Sequence, residues 1–66
     1  MTPIRFTYFD EDAGQYVFIS ILGQFTHHFT GENMYHVRAE YSDGFVMEPI
    51  YEESHIKELL KKRVEE

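Results

Sequence analysis

The chain contains no cysteine, and this absence removes several kinds of chemistry at once. Disulfide bonds, thiolate zinc sites and cysteine nucleophiles are all excluded. A single domain, residues 1–66, buries only roughly 60% of the surface that its unfolded chain exposes, and domains of this size often depend on cross-links. The six Phe and five Tyr residues therefore have to supply stability, through dense aromatic packing or through self-association.

Long apolar runs are also missing. No segment approaches the ~18 consecutive apolar residues of a membrane-spanning helix. The N-terminus has no charged stretch followed by an apolar one, which a secretory leader would require. These absences predict a soluble, cytoplasmic protein with no membrane partner.

Basic residues are scarce in most of the chain. Residues 1–51 carry seven acidic and two basic side chains, and residues 52–66 carry five acidic and four basic ones, so −5 of the net charge of −6 belongs to the first segment. A surface of this sign repels phosphate backbones and attracts basic partners. We therefore expect a basic protein partner and no direct binding of nucleic acid.

Alternation of apolar and polar residues predicts the first two strands. Residues 4–9 alternate, and residues 15–30 place apolar side chains at odd positions from Val17 to Phe29. Because this parity continues across Gly23, we expect one long strand bent at that glycine rather than two strands joined by a turn. A true turn at Gly23 is the alternative, and it would add a fifth strand.

Three connecting loops are consistent with one shared apolar side. The loops are expected at residues 11–14, 31–33 and 42–44. The pairs that they set opposite each other on that side are Ile4–Ile21, Phe6–Ile19, Tyr8–Val17, Phe29–Tyr35, His27–Val37, Phe25–Ala39, Tyr41–Phe45 and Ala39–Met47.

The C-terminal residues 54–65 are predicted to form a helix. Its apolar residues recur at helical spacing: Ile56, Leu59, Leu60 and Val64. Ser54 is the expected N-cap, and Glu58 is expected to pair with Lys62. Pro49 is expected to mark the end of an edge strand. The predicted fold is α+β but mainly β, an antiparallel meander of four to five strands that forms a small, partly open SH3-like barrel closed by this helix.

Three segments carry a resemblance to a known family. IRFTY at residues 4–8, EYSDG at residues 40–44 and KELLKK at residues 57–62 resemble, in sequence and place, parts of the seven-kilodalton chromatin proteins of thermophilic archaea. The resemblance covers the whole chain in layout, and it implies an N-terminal hairpin, a three-stranded sheet and a closing helix. That family binds DNA through a lysine-rich sheet, which has no counterpart here, so the resemblance implies no functional residue.

Two histidines allow a weaker, metal-binding hypothesis. The predicted register sets His28 opposite His36, and cross-strand neighbours about 5 Å apart can share an ion. Zinc requires four ligands, or three and a water, and Glu40 lies two same-side positions beyond His36 on the strand. The simpler interpretation makes both histidines polar residues on an open side and His27 a partly buried core residue. A pH-responsive contact is a further hypothesis.

Signatures of catalysis are missing from the sequence. There is no Ser–His–acid arrangement and no glycine-rich phosphate loop, and the paired carboxylates of residues 10–12 lie in an exposed loop. A domain this small is also expected to have little room for a pocket of ~300 Å3 or more. We therefore expect neither an enzyme nor a bound cofactor.

Two surface features exceed what folding requires. Apolar residues on the side opposite the predicted interior are candidate anchors for a partner or for a second copy of the chain: Phe9, Tyr16, Phe18 and Leu22. Acidic residues on a rigid β scaffold can imitate the phosphates of DNA and be attracted to a basic groove: Asp10, Glu11, Asp12, Glu40, Asp43 and Glu48.

These features predict a small acidic protein-interaction module. It is expected to inhibit a basic, nucleic-acid-handling protein in the manner of phage proteins that block host enzymes. The alternative is a structural homodimer joined by an aromatic patch, and a weaker alternative is a β scaffold that binds metal through His28 and His36. The pattern leaves open which of the two apolar sides the helix covers.

Overall fold

The structure is a computed structural model that describes residues 4–64. Its elements are, in chain order, β1 (Arg5–Asp10), β2 (Gln15–Thr26), β3 (Asn33–Tyr41), β4 (Val46–Met47), β5 (Ile50–Glu52) and α1 (Glu53–Lys61). The strands form one antiparallel sheet in which β2 lies between β1 and β3, while β4 and β5 both pair with β3. The predicted mainly β meander with one C-terminal helix is confirmed, and the sheet is not closed.

The hydrophobic core lies between α1 and one face of the sheet. Its buried residues are Tyr8, Val17, Ile19, Tyr35, Val37, Ala39, Ile56 and Leu59. Strand residues of this set alternate with exposed ones, because successive side chains of a strand point to opposite faces. The helix therefore covers the predicted interior side. The opposite side, called the outer face below, carries no other element in the described part of the chain.

The first and third hairpins have the predicted registers. Tyr8 opposes Val17 in the first, and the N–H of Ile21 donates to the carbonyl of Ile4 at 2.8 Å. In the third, Ala39 opposes Met47. Gly44 has a φ of 97°, in the left-handed region that glycine adopts without steric cost, and this conformation allows the short turn at residues 42–44.

The predicted register of the second hairpin is wrong. Ile21, rather than His27, lies opposite Val37, and the connection between the strands comprises residues 27–32 instead of 31–33. In the observed register, the apolar residues of β2 that pair with β1 also pair with the apolar residues of β3. All three strands then share one core, which the single helix covers.

A β-bulge explains why the odd-numbered residues of β2 do not all lie on one side, as the sequence predicted. The register shifts between Ile21 and Gly23, so Leu22 is the extra residue of β2. Beyond the bulge the two sides of the strand exchange faces, and Phe25 lies opposite Met34 on the outer face rather than in the core. The irregularity falls next to Gly23 and β2 continues through it as one strand, as expected, although the strand ends at Thr26.

The loop that follows β2 is held together by His27, which was predicted as a core strand residue. The Nδ1 atom of His27 accepts hydrogen bonds from the main-chain N–H groups of Phe29, at 3.2 Å, and Thr30, at 3.3 Å. The main-chain N–H of His27 donates to the carbonyl of Glu32 at 2.7 Å. These bonds satisfy main-chain groups that a strand would have used in a ladder.

The fifth strand arises at Pro49 and not at Gly23. Ala39 opposes Met47 and His36 opposes Ile50, so β4 and β5 keep one register along β3. Pro49 lacks an N–H, and its carbonyl accepts a 3.0 Å hydrogen bond from the N–H of Val37. The proline therefore interrupts an edge strand instead of ending it.

The helix is shorter than predicted. It begins after Glu52, which is the N-cap and makes no side-chain capping bond, so Ser54 lies inside the first turn. It ends at Lys61, and the predicted end at residue 65 lies outside the described residues. Glu58 pairs with Lys61 at 3.2 Å rather than with Lys62. No helix in residues 4–64 has the length and apolar character needed to span a membrane.

Candidate interaction surface

Large apolar side chains remain exposed on the outer face. Seven of them are between 38% and 55% exposed: Phe9, Tyr16, Phe18, Leu22, Phe25, Val46 and Ile50. Contiguous apolar surface of this kind marks interaction sites more often than isolated exposed residues do. The four predicted apolar anchors all belong to this set.

Three aromatic residues form a cluster at one end of the outer face, called the aromatic corner below. Phe9 opposes Tyr16, and their rings pack edge to face with centroids 5.1 Å apart. Phe18 is two residues further along β2 on the same face, opposite Thr7 and Glu40. Leu22 lies in the bulge, away from this corner. The mutual packing of Phe9 and Tyr16 restricts their rotamers before any partner arrives.

Two acidic turns lie at the same end of the sheet as the aromatic corner. One contains Asp10, Glu11 and Asp12, and the other contains Asp43. Gln15 links them, because its Oε1 atom accepts hydrogen bonds from the hydroxyl of Ser42, at 3.1 Å, and from the N–H of Asp43, at 3.0 Å. The fold thus gathers four of the six predicted acidic residues.

Not all of these carboxylates are available to a partner. Asp10 accepts hydrogen bonds from the N–H groups of Asp12, at 3.0 Å, and Ala13, at 3.2 Å. Asp43 accepts one from the N–H of Phe45 at 2.9 Å. Both carboxylates therefore hold their own turns. The side chains of Glu11 and Asp12 make no hydrogen bond or ion pair within residues 4–64, so they carry the free negative charge of this end.

The remaining two predicted acids lie on the outer side and have basic neighbours. Glu40 is 3.7 Å from the guanidinium of Arg38, and Glu48 is 3.4 Å from Nε2 of His36. Glu40 borders the aromatic corner through its pairing with Phe18, whereas Glu48 lies near the middle of the β3 edge. Arg38 offsets much of the charge of Glu40, and His36 does so for Glu48 when protonated.

The predicted histidine pair is not formed. His36 lies opposite Gly23, and His28 lies in the loop 27–32, where its ring contacts Phe29 with centroids 5.1 Å apart. The pair depended on the register that the bulge and the longer loop replaced. Residues 4–64 contain no group of three or more His, Asp or Glu side chains placed to hold a metal ion.

A groove lies over β1 and β2 on the outer face, and the sequence reasoning missed it. Its volume is about 840 Å3, and it is lined by residues of β1, β2 and the segment after α1: Arg5, Phe6, Thr7, Tyr16, Phe18, Ile19, Ser20, Arg63 and Val64. The expectation that the domain is too small for a pocket is therefore wrong. The sequence carries no signal for this groove, because its walls come from two strands and from the segment after α1.

No protein-family model, curated protein or solved structure matches the chain.

Proposed function

We propose that this protein is a small acidic interaction module that binds a basic protein through its aromatic corner and acidic turns. One observation carries the proposal. The helix covers a single face of the sheet, so Phe9, Tyr16 and Phe18 stay exposed beside the free carboxylates of Glu11 and Asp12.

The two parts of this surface have different roles in binding. Aromatic rings supply most of the affinity of typical interfaces, because they bury a large area for little loss of conformational entropy. Carboxylates at the rim add less affinity but attract a basic partner and orient its approach. Binding is therefore expected to weaken as the salt concentration rises, since salt screens charges at the rim.

The identity of the partner is the finer part of the proposal. A net charge of −6 on a rigid β scaffold suits a basic groove that normally holds nucleic acid, and occupation of that groove would inhibit the partner. The setting is the cytoplasm, where such partners meet their nucleic acids.

A pull-down from a nuclease-treated bacterial lysate tests this function. The tagged chain is washed at low and then at high salt, and retained proteins are identified by mass spectrometry. We expect a basic protein that is retained at low salt and released at high salt. Recovery of the tagged chain alone, or of proteins whose retention does not depend on salt, would contradict the proposal.

Charge reversals give a matched comparison for the same experiment. Glu11→Lys/Asp12→Lys should abolish retention, and Asp10 is left unchanged because its carboxylate holds the turn. Glu32→Lys/Glu58→Lys makes the same change in net charge away from the corner and should leave retention largely intact. Equal loss in both double variants would mean that net charge, and not this surface, governs binding.

A second candidate is a homodimer joined through the outer face. Apolar exposure continues from the aromatic corner through Leu22 to Phe25 and Ile50, at the other end of the sheet. Arg38 and Glu40 add both signs of charge, which a two-fold arrangement can match. Sedimentation equilibrium should then give twice the monomer mass at high micromolar concentration, and Leu22→Lys should restore the monomer. A monomer throughout that range would eliminate this candidate.

A further inference from the structure

We propose that the groove over β1 and β2 is a binding site for a small aromatic anion, meaning a flat ring that carries one phosphate or carboxylate group. This site goes beyond the proposed function, and it shares Tyr16 and Phe18 with the aromatic corner.

Three side chains of β1 and β2 on the outer face form the polar part of the site, and Arg63 of the segment after α1 also lines the groove. Arg5 opposes Ser20 across the β1–β2 pair, and Thr7 lies two residues from Arg5 on the same face. None of the three makes a side-chain hydrogen bond or ion pair with another residue in the range 4–64. A guanidinium and two hydroxyls, all with unused donors, thus border the same groove. An oxyanion accepts bonds from such donors, and charge-assisted bonds to a guanidinium are the strongest of them.

The apolar part of the site adjoins this group. Phe18 opposes Thr7, and Tyr16 is the next residue on the same face of β2. Val64 lines the groove as well. A ring that lies against Phe18 would bring its oxyanion towards Arg5 and Ser20, since neighbouring cross-strand pairs on one face are within reach of one another. The volume of about 840 Å3 is within the usual range for small-molecule sites, roughly 300–1,000 Å3.

The charge distribution favours a small anion over a polyanion. Arg5 and Arg38 are the two basic residues of the segment 1–51, and both lie opposite Ser20, one on each side of β2. Asp10 is at the far end of β1, roughly 17 Å from Arg5 along the strand, which exceeds the Debye length of about 10 Å at 0.1 M salt. A single anionic group at Arg5 is therefore largely screened from the acidic turns. A nucleic acid would extend over them and be repelled.

A chemical-shift titration of the full chain tests the site. The probes are phenyl phosphate and benzoate, compared with inorganic phosphate and phenol, which each supply only one half of the ligand. We expect at least one of the two aromatic anions to shift the main-chain amides of residues 5–7 and 18–20, with higher affinity than either half. Which of the two binds more tightly identifies the oxyanion.

Two variants that each lose one positive charge distinguish binding at the groove from attraction to the overall charge of the protein. Arg5→Gln should weaken the aromatic anion by roughly tenfold, the effect of losing a charged hydrogen-bonding partner. Arg38→Gln removes the same charge one strand away and should have little effect. Arg5 is exposed and its substitution does not disturb the core, which the amide spectrum of the variant would verify.

Several outcomes would overturn the proposal. Amides of residues 5–7 and 18–20 that do not move with either aromatic anion would exclude the site. Phenol or inorganic phosphate binding as tightly as the aromatic anions would show that the two halves do not act together. An equal loss of affinity in Arg5→Gln and Arg38→Gln would show that overall charge, and not the groove, governs binding.

Discussion

The main-chain N–H of Val64 donates a 2.7 Å hydrogen bond to the carbonyl of Thr7, which lies in β1. Arg63 also forms a bridge with Tyr8, so the segment after α1 runs antiparallel to the outer edge of the sheet. Unpaired edges are sites where a sheet recruits further strands. This contact therefore protects part of the β1 edge, and it follows directly on the end of the helix at Lys61.

Val64→Pro tests how much this hydrogen bond stabilises the fold, because proline lacks the N–H that donates to the carbonyl of Thr7. We expect a loss of about 1 kcal/mol of stability, together with stronger self-association through the uncovered edge of β1. Val64→Ala is the control, since it keeps the N–H. Urea unfolding and light scattering would measure the two effects. Identical urea midpoints for the two variants would show that the hydrogen bond contributes nothing.

Gly23→Ala is expected to be neutral or to stabilise the fold by up to about 1 kcal/mol. A Cβ atom at Gly23 would meet nothing within 4 Å, and the backbone there is not left-handed. Gly44→Ala is the contrasting variant, since a φ of 97° strains any other residue. It should lose about 1 kcal/mol or more. Thermal unfolding of both variants decides the matter, and a destabilised Gly23→Ala would mean that the bend does require glycine.

Ile56→Ala tests which face of the sheet the helix covers. Ile56 is 1% exposed, and truncation of such a residue costs about 2–5 kcal/mol. That loss is a large part of the ~5–15 kcal/mol that typically stabilises a domain. Phe18→Ala, on the outer face, should cost about 1 kcal/mol or less. If chemical denaturation ranked the two variants in the opposite order, the assignment of core and outer face would be wrong.

Tyr8 should make the fold sensitive to alkali. Burial, followed by the proximity of Tyr41, Tyr51 and Asp10, raises the pKa of Tyr8 from 10.0 to about 12. The folded state thus prefers the neutral phenol, and this contribution is complete below pH 10 and is lost as the pH rises towards about 12. Burial also raises the pKa of Tyr51, which acts in the same direction.

The measurement is the urea midpoint as a function of pH, with Tyr8→Phe for comparison. The wild type should lose stability over this alkaline range, whereas the variant should lose less, because it has no phenol to ionise at that position. A parallel decline in both proteins would assign the alkaline sensitivity to other groups.

The parts of the fold that short loops determine were predictable. The first turn begins with Asp10, whose carboxylate binds the main chain of its own turn, and the third ends with Gly44 in the left-handed region. Such signals act within a few residues, so the registers of these hairpins follow from local chemistry. The helical spacing of Ile56 and Leu59 likewise predicted the buried side of α1.

The second hairpin was not predictable in the same way. Gly23 indicates an irregularity in β2, but it does not indicate that Leu22 is an extra residue, which exchanges the faces of everything that follows it in β2. The alternation of apolar residues therefore predicted that Phe25 and His27 lie in the core. It also predicted a His28–His36 pair that the fold does not contain. The residues of the candidate surface could be named from their alternation, but which of them are neighbours could not.

The sequence by itself determined the class of the fold, the first hairpin, the buried side of the helix and the acidic character of the body. These properties follow from the periodicity of apolar residues and from charge, both of which are local or additive. Only the tertiary structure decided the β2–β3 register, the face that α1 covers, and the meeting of Arg5, Ser20 and Arg38 across three strands. The reason is that these choices depend on burying β1, β2, β3 and α1 against one another at the same time, and no single segment carries that information.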